Sequence, residues 1–119
     1  MSKILILGPE RNYQVILTDK ESVKKSIDVM HGNLDSDSLI IHLVTTKTIS
    51  ARGCQLYGGS VQFNLAGRIG NLPGDIADFF NQIEGYRSKH NAEYALIQNF
   101  SFNTGRTKDE LSAVVQLLI

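Results

Sequence analysis

The stretch CQLYGGSVQFNLAGRIGNLPG, residues 54–74, sets the architecture that the rest of the chain must fit. Gly58-Gly59 tolerates a tight turn, so Cys54 to Tyr57 and Ser60 to Leu65 read as the two arms of a central hairpin. In the second arm Val61, Phe63 and Leu65 alternate with Gln62, Asn64 and Ala66, which buries one face and opens the other to solvent or a partner. Six of the ten glycines lie between Gly53 and Gly74. From Lys47 to Gly74 there is no Asp or Glu, only Lys47, Arg52 and Arg68, so the hairpin is basic.

Upstream, Lys3 to Leu7 is an apolar run closed by Gly8-Pro9, and Tyr13 to Leu17 is rich in β formers, which predicts an opening antiparallel pair of strands. Thr18-Asp-Lys-Glu21 has capping-box spacing, and Val23, Ile27 and Met30 share a helical face, predicting a helix over 19–31 stopped by Gly32. Asn33 to Ser38 reads as a turn, and Leu39 to Val44 as a buried strand that continues extended through Thr45 to Thr48.

Downstream, Pro73 precedes the spacing Ile76, Phe79, Phe80, Ile83, an amphipathic helix whose last turn Gly85 weakens. Tyr94 to Phe102 is an apolar, aromatic strand. Thr107-Lys-Asp-Glu110 repeats the capping-box spacing ahead of Leu111, Val114, Val115 and Leu118, which predicts a C-terminal helix running to Ile119. The order ββα-βββ-α-β-α lacks regular βαβα alternation. It implies an α+β fold, a mainly antiparallel sheet of about five to six strands with about three helices, in a single domain over 1–119.

A chain of 119 residues that is 42% hydrophobic buries a core without needing a disulfide or structural metal. Twelve basic and twelve acidic side chains cancel, removing the global field of a polyanion binder. Tyr57 and Phe63 near Arg52 and Arg68 offer stacking with charge, but no RNP-type run accompanies them, and the reading is against nucleic acid. Cys54 is the one cysteine, which excludes an internal disulfide. With no signal-peptide pattern and no run of about 18 apolar residues, the expected location is cytoplasmic, away from membranes.

Catalytic patterns are sparse. Gly8-Pro9-Glu10-Arg11-Asn12 lacks phosphate-loop spacing and reads as a turn. Gly67 to Gly74 places glycines and Arg68 before a helix N-terminus, where free amides would receive a phosphate or carboxylate; the plainer reading is a connecting loop with Asn71 as cap. Cys54 with His42 or His90 would need tertiary proximity to make a thiol–imidazole pair, and reads instead as a small buried residue. His31, His42 and His90 show no metal-ligand spacing, His42 falling on the polar side of its strand and the others near helix ends. Asp35-Ser36-Asp37 lacks the glycine and distant glutamate of a calcium loop.

Without a nucleophile, acid–base pair or metal cluster, the expectation is a non-catalytic, cofactor-free protein-binding domain. Its expected form is a bacterial inhibitor such as an immunity protein, which neutralises a cognate toxin by occluding its active site. Arg52, Gln55, Tyr57, Gln62, Asn64 and Arg68 are the candidate contacts, Tyr and Arg being the strongest anchors at interfaces. Asp35 and Asp37, with Asp75, Asp78, Glu84 and Glu93, would complement a basic partner. The C-terminal helix offers a route to a homo-oligomer. The competing class is a small enzyme or ligand-binding domain using Cys54 or the Gly67–Gly74 loop.

Overall fold

The computed structural model describes residues 2–31, 35–68 and 70–119. The apolar runs at the start pair as expected: β1 (Ile4–Leu7) and β2 (Asn12–Ile16) are antiparallel, with Leu5 opposite Val15 and Leu7 opposite Tyr13. Their turn holds Glu10 and Arg11 at φ 56° and 59°, the handedness that matches strand twist, and Asn12 N–H closes it on the Pro9 carbonyl at 3.1 Å. Helix α1 (Lys20–Val29) is capped by Asp19 and not by Thr18, because the Asp19 carboxylate accepts from Ser22 N–H at 3.0 Å. His31 takes the left-handed conformation at φ 50°, and Gly32 and Asn33 lie outside the described residues.

Leu39 to Val44 departs from the expected strand. Asp35 accepts from Ser38 N–H at 3.1 Å and starts helix α2 (Ser36–Leu43), which buries Leu39 and Leu43 four residues apart. Short apolar runs fit a buried helix as well as a strand, and here the Asp cap decides. His42 therefore lies on an exposed helix surface, its Nδ1 2.8 Å from the Ser38 carbonyl oxygen. Extended chain resumes in β3 (Val44–Ser50), paired with β2.

Gly58-Gly59 makes no hairpin. β4 (Leu56–Arg68) is one strand of 13 residues, antiparallel to the terminal strand, with a bulge between Tyr57 and Val61 where Gly58 has φ 67°. The buried Gln116 carboxamide holds the bulge: its Nε2 donates to the Tyr57 and Gly58 carbonyls at 3.1 and 2.9 Å, and its Oε1 accepts from Ser60 Oγ at 2.9 Å. Backbone groups that would otherwise turn away unpaired are thus satisfied by a residue 58 positions distant.

The predicted C-terminal helix is also a strand. After α3 (Leu72–Lys89) and β5 (Tyr94–Thr104), residues Lys108–Leu118 form β6, lodged between β5 and β4. Asp109, Leu111, Ala113, Val115 and Leu117 are buried at period two, and this alternation prevails over the helical stripe because both of its edges find partners. No terminal helix exists to support the homo-oligomer expected through it. Gly85 does not end α3, because it sits on the exposed side while Ile76, Phe79, Phe80 and Ile83 are buried opposite.

The sheet order is β3-β2-β1-β5-β6-β4, antiparallel except for β1 with β5. Ile4, Ala95, Ile97, Ala113, Val115 and Leu117 face the helices, where Phe79, Phe80 and Phe100 pack with centroids 5.7–6.5 Å apart. On the other face Leu5, Val15, Leu96 and Leu118 form a smaller cluster against Cys54. The order ββααββαββ keeps the α+β class while redistributing its elements. Gln116→Ala is expected to destabilise the protein by about 1–3 kcal/mol. Chemical denaturation should record that loss, with hydrogen exchange rising first at residues 57–60.

Candidate partner-binding surface

The chain leaves β3 at one sheet edge and enters β4 at the other, so residues 51–55 cross the helix-free face as a short strap. Arg52 is exposed on it, in a single 3-10 turn begun by Ser50. Gln55 exchanges backbone hydrogen bonds with Ile119 at 3.2 and 2.9 Å, anchoring the start of β4 to the chain's last residue while its side chain stays exposed.

Beyond the strap, every residue from Leu56 to Gln62 is exposed. Leu56 is 65% and Ile119 52% exposed, with Tyr57 and Val61 also open, so an apolar margin runs along this end of β4. Pairing alternation puts Tyr57 and Val61 on the helix side and Gln62 and Asn64 on the helix-free side, where Gln62 Nε2 donates to Asn64 Oδ1 at 3.3 Å. A polar hollow of about 360 Å³ opens there, lined by Gln62, Asn64, Ser101, Asn103, Glu110 and Ser112. Ser101 and Ser112 hydroxyls meet across it at 2.8 Å. The serines and Asn103 carry no motif and become visible only once β5 and β6 are laid beside β4.

The remaining candidates are dispersed. Arg68 is exposed at the far end of β4, opposite Lys108. Asp35 is engaged as the α2 cap, and Asp37 lies in the first turn of that helix over β1 and β5. Asp75 is buried and unavailable to a partner. Asp78 is exposed, Glu84 is tied to Arg87, and Glu93 is 3.4 Å from Lys3.

The Gly67–Gly74 segment is not the anion cradle that its composition suggests. Gly67 belongs to β4, and a Cβ there would sit 2.1 Å from Asp75 Oδ2, so the absent side chain makes room for a carboxyl. Asp109, opposite Gly67 on β6 and 1% exposed, lies beside Asp75 within hydrogen-bonding reach, and neither of its oxygens has a donor. Asn71 does not cap α3 with its side chain but donates Nδ2 to Asp75 Oδ1 at 3.3 Å. A phosphate would meet two carboxyls there.

Burial, and then the neighbouring Asp109, pushes the Asp75 carboxyl up from its ordinary value. Burial also raises the Cys54 thiol, Glu93 adding to the effect; its S–H donates to the Ser50 carbonyl 3.5 Å away. The cluster around that thiol consists of Leu5, Val15, Leu96 and Leu118 with Tyr13, Ile49 and Tyr94, and contains no imidazole. His90 instead packs edge-on to Tyr86 at 4.7 Å, and His31 and His42 are exposed.

Comparison with protein-family models, curated proteins and solved structures finds no match to this chain.

Because folding raises the Asp75 pKa, its contribution to stability is fully present below the ordinary carboxyl range and is lost as pH rises through the elevated value. Asp75→Asn should therefore raise the melting temperature at neutral pH and flatten its decline as pH rises above the ordinary carboxyl range. The amide also offers Asp109 a donor, for a gain on the order of 1 kcal/mol. Alkylation of Cys54 by iodoacetamide at neutral pH should run slower than that of a free thiol, and accelerate on unfolding.

Proposed function

We propose that this protein is a non-catalytic binding domain that docks a protein partner along the free edge of β4. The observation that carries this reading is the contrast between the two sheet edges. β3 has Lys47 in mid-strand, the usual guard against strand addition. From Leu56 to Gly67, β4 has neither a charged residue nor a proline, and its exposed Leu56, Tyr57 and Val61 are apolar. An edge so unguarded supplies main-chain hydrogen bonds for an incoming strand, while the side chains on either face set specificity.

Gln62 and Asn64, with the hydroxyls of Ser101 and Ser112, provide adaptable polar contacts beside that edge. The bulge at Gly58-Gly59 restricts regular pairing to Val61–Arg68, which limits indiscriminate aggregation while leaving eight residues for one partner. A bacterial inhibitor of the immunity-protein kind, lying across a toxin's active site, is the form of this function that needs only shape, an apolar margin and a polar face. A cytoplasmic setting suits it, since the lone thiol is not committed to a disulfide.

Affinity capture with the purified chain, followed by mass spectrometry, should isolate a defined partner from its native host. Val61→Lys should weaken capture at least about tenfold, whereas Thr46→Lys on the opposite edge should not. Co-expression of the wild type, but not of the Val61 variant, should relieve toxicity of a captured toxin, and Cys54→Ala should leave the relief intact. Capture indifferent to β4, or turnover by the chain alone, would defeat this assignment.

A further inference from the structure

A second surface lies over the parallel β1–β5 pair on the helix-bearing side and does not involve the β4 edge. β1 ends at Leu7, while β5 continues past it to Thr104, and α2 crosses above. Between them is a groove of about 440 Å³ whose walls are Leu7, Ile40, Ile41, Ile97 and Phe100. Leu7, which ends β1, and Ile41, on α2, are each 70% exposed. The position is just beyond the carboxyl end of β1, beside the continuing β5. Its size and mostly apolar lining match small-molecule sites.

Two features set this groove apart from an incidental gap. First, β5 carries one extra residue between Gln98 and Ser101 relative to β6, a bulge that re-aims the strand at the groove wall. Asn99 within it has φ 54°, the left-handed conformation that asparagine adopts more readily than most residues. The bulge leaves Gln98 and Asn99 exposed at the rim and turns Phe100 into the core, stacked on Phe80 at 5.7 Å.

Second, Asp37 is the sole ionisable side chain lining the groove. It lies exposed in the first turn of α2 and forms no ion pair among the described residues. An apolar trough with one carboxylate and the Asn99 carboxamide at its rim complements an apolar body bearing a single positive charge; an anion would face Asp37 without a compensating cation.

We propose that this groove binds a small amphipathic cation, its apolar part against Ile40, Ile41 and Ile97 and its ammonium group at Asp37, with the Asn99 carboxamide accepting a further N–H bond. The site operates whether or not β4 carries a partner.

Phenethylammonium is a suitable probe, with 2-phenylethanol and phenylacetate as neutral and anionic counterparts, followed through isoleucine-methyl NMR. Saturable shifts are expected at Ile40, Ile41 and Ile97 with phenethylammonium at millimolar concentration, weaker ones with the alcohol, and none with the acid. Asp37→Asn should reduce phenethylammonium affinity about tenfold and bring it level with the alcohol. Ile41→Ala, at an exposed site that leaves the fold intact, should weaken both. Absence of saturable shifts, equal binding of phenylacetate, or unchanged affinity in the Asp37 variant would overturn the assignment.

Discussion

β4 touches the rest of the sheet only through β6, and β6 is held in turn by β5. From Leu56↔Leu118 to Arg68↔Lys108, a two-sided ladder on the last strand keeps a 13-residue segment in place at the margin of the fold. Leu111, Ala113, Val115 and Leu117 drive this arrangement by burying one face of β6 beneath α3, a register that a slip of one residue would invert. The apolar margin at Leu56 and Val61, the polar hollow at Gln62 and Asn64, and the strap carrying Cys54 all inherit their positions from this ladder.

The two ends of β4 are stabilised differently. Near Gly58, Gln116 satisfies three groups of the irregularity with one carboxamide. Near Gly67, Asp75 and Asp109 are buried together with oxygens that lack donors, an arrangement that favours retention of a proton and costs stability when it is lost. One end is therefore insensitive to pH and the other is not.

Much of the fold was legible from local pattern. The opening hairpin, α1, α3 and β5 followed from apolar periodicity, turn residues and caps, because each buries its face by a rule that holds within about ten residues. Two of the misread elements shared one property, compatibility with two periods. Leu39 to Val44 is short enough to pack as helix or strand, and Leu111 to Leu118 carries both a helical stripe and an alternation. Of the candidate contacts, Gln62 and Asn64 were readable by alternation as an open face. Arg52, Arg68, Asp35 and Asp37 shared only polarity, and the fold scatters them.

The sequence by itself determined the α+β class, the positions of five elements and the amphipathic alternation of β4, since these depend on spacing along the chain. Tertiary structure decided that Gly58-Gly59 is a bulge and that the last segment is an internal strand. It also left one edge unguarded and opened a groove beyond β1. Each of these rests on partners far apart in sequence, Gln116 with Gly58 or Asp37 with Asn99, and no local propensity encodes a hydrogen bond or a cavity whose two sides meet only when the sheet closes.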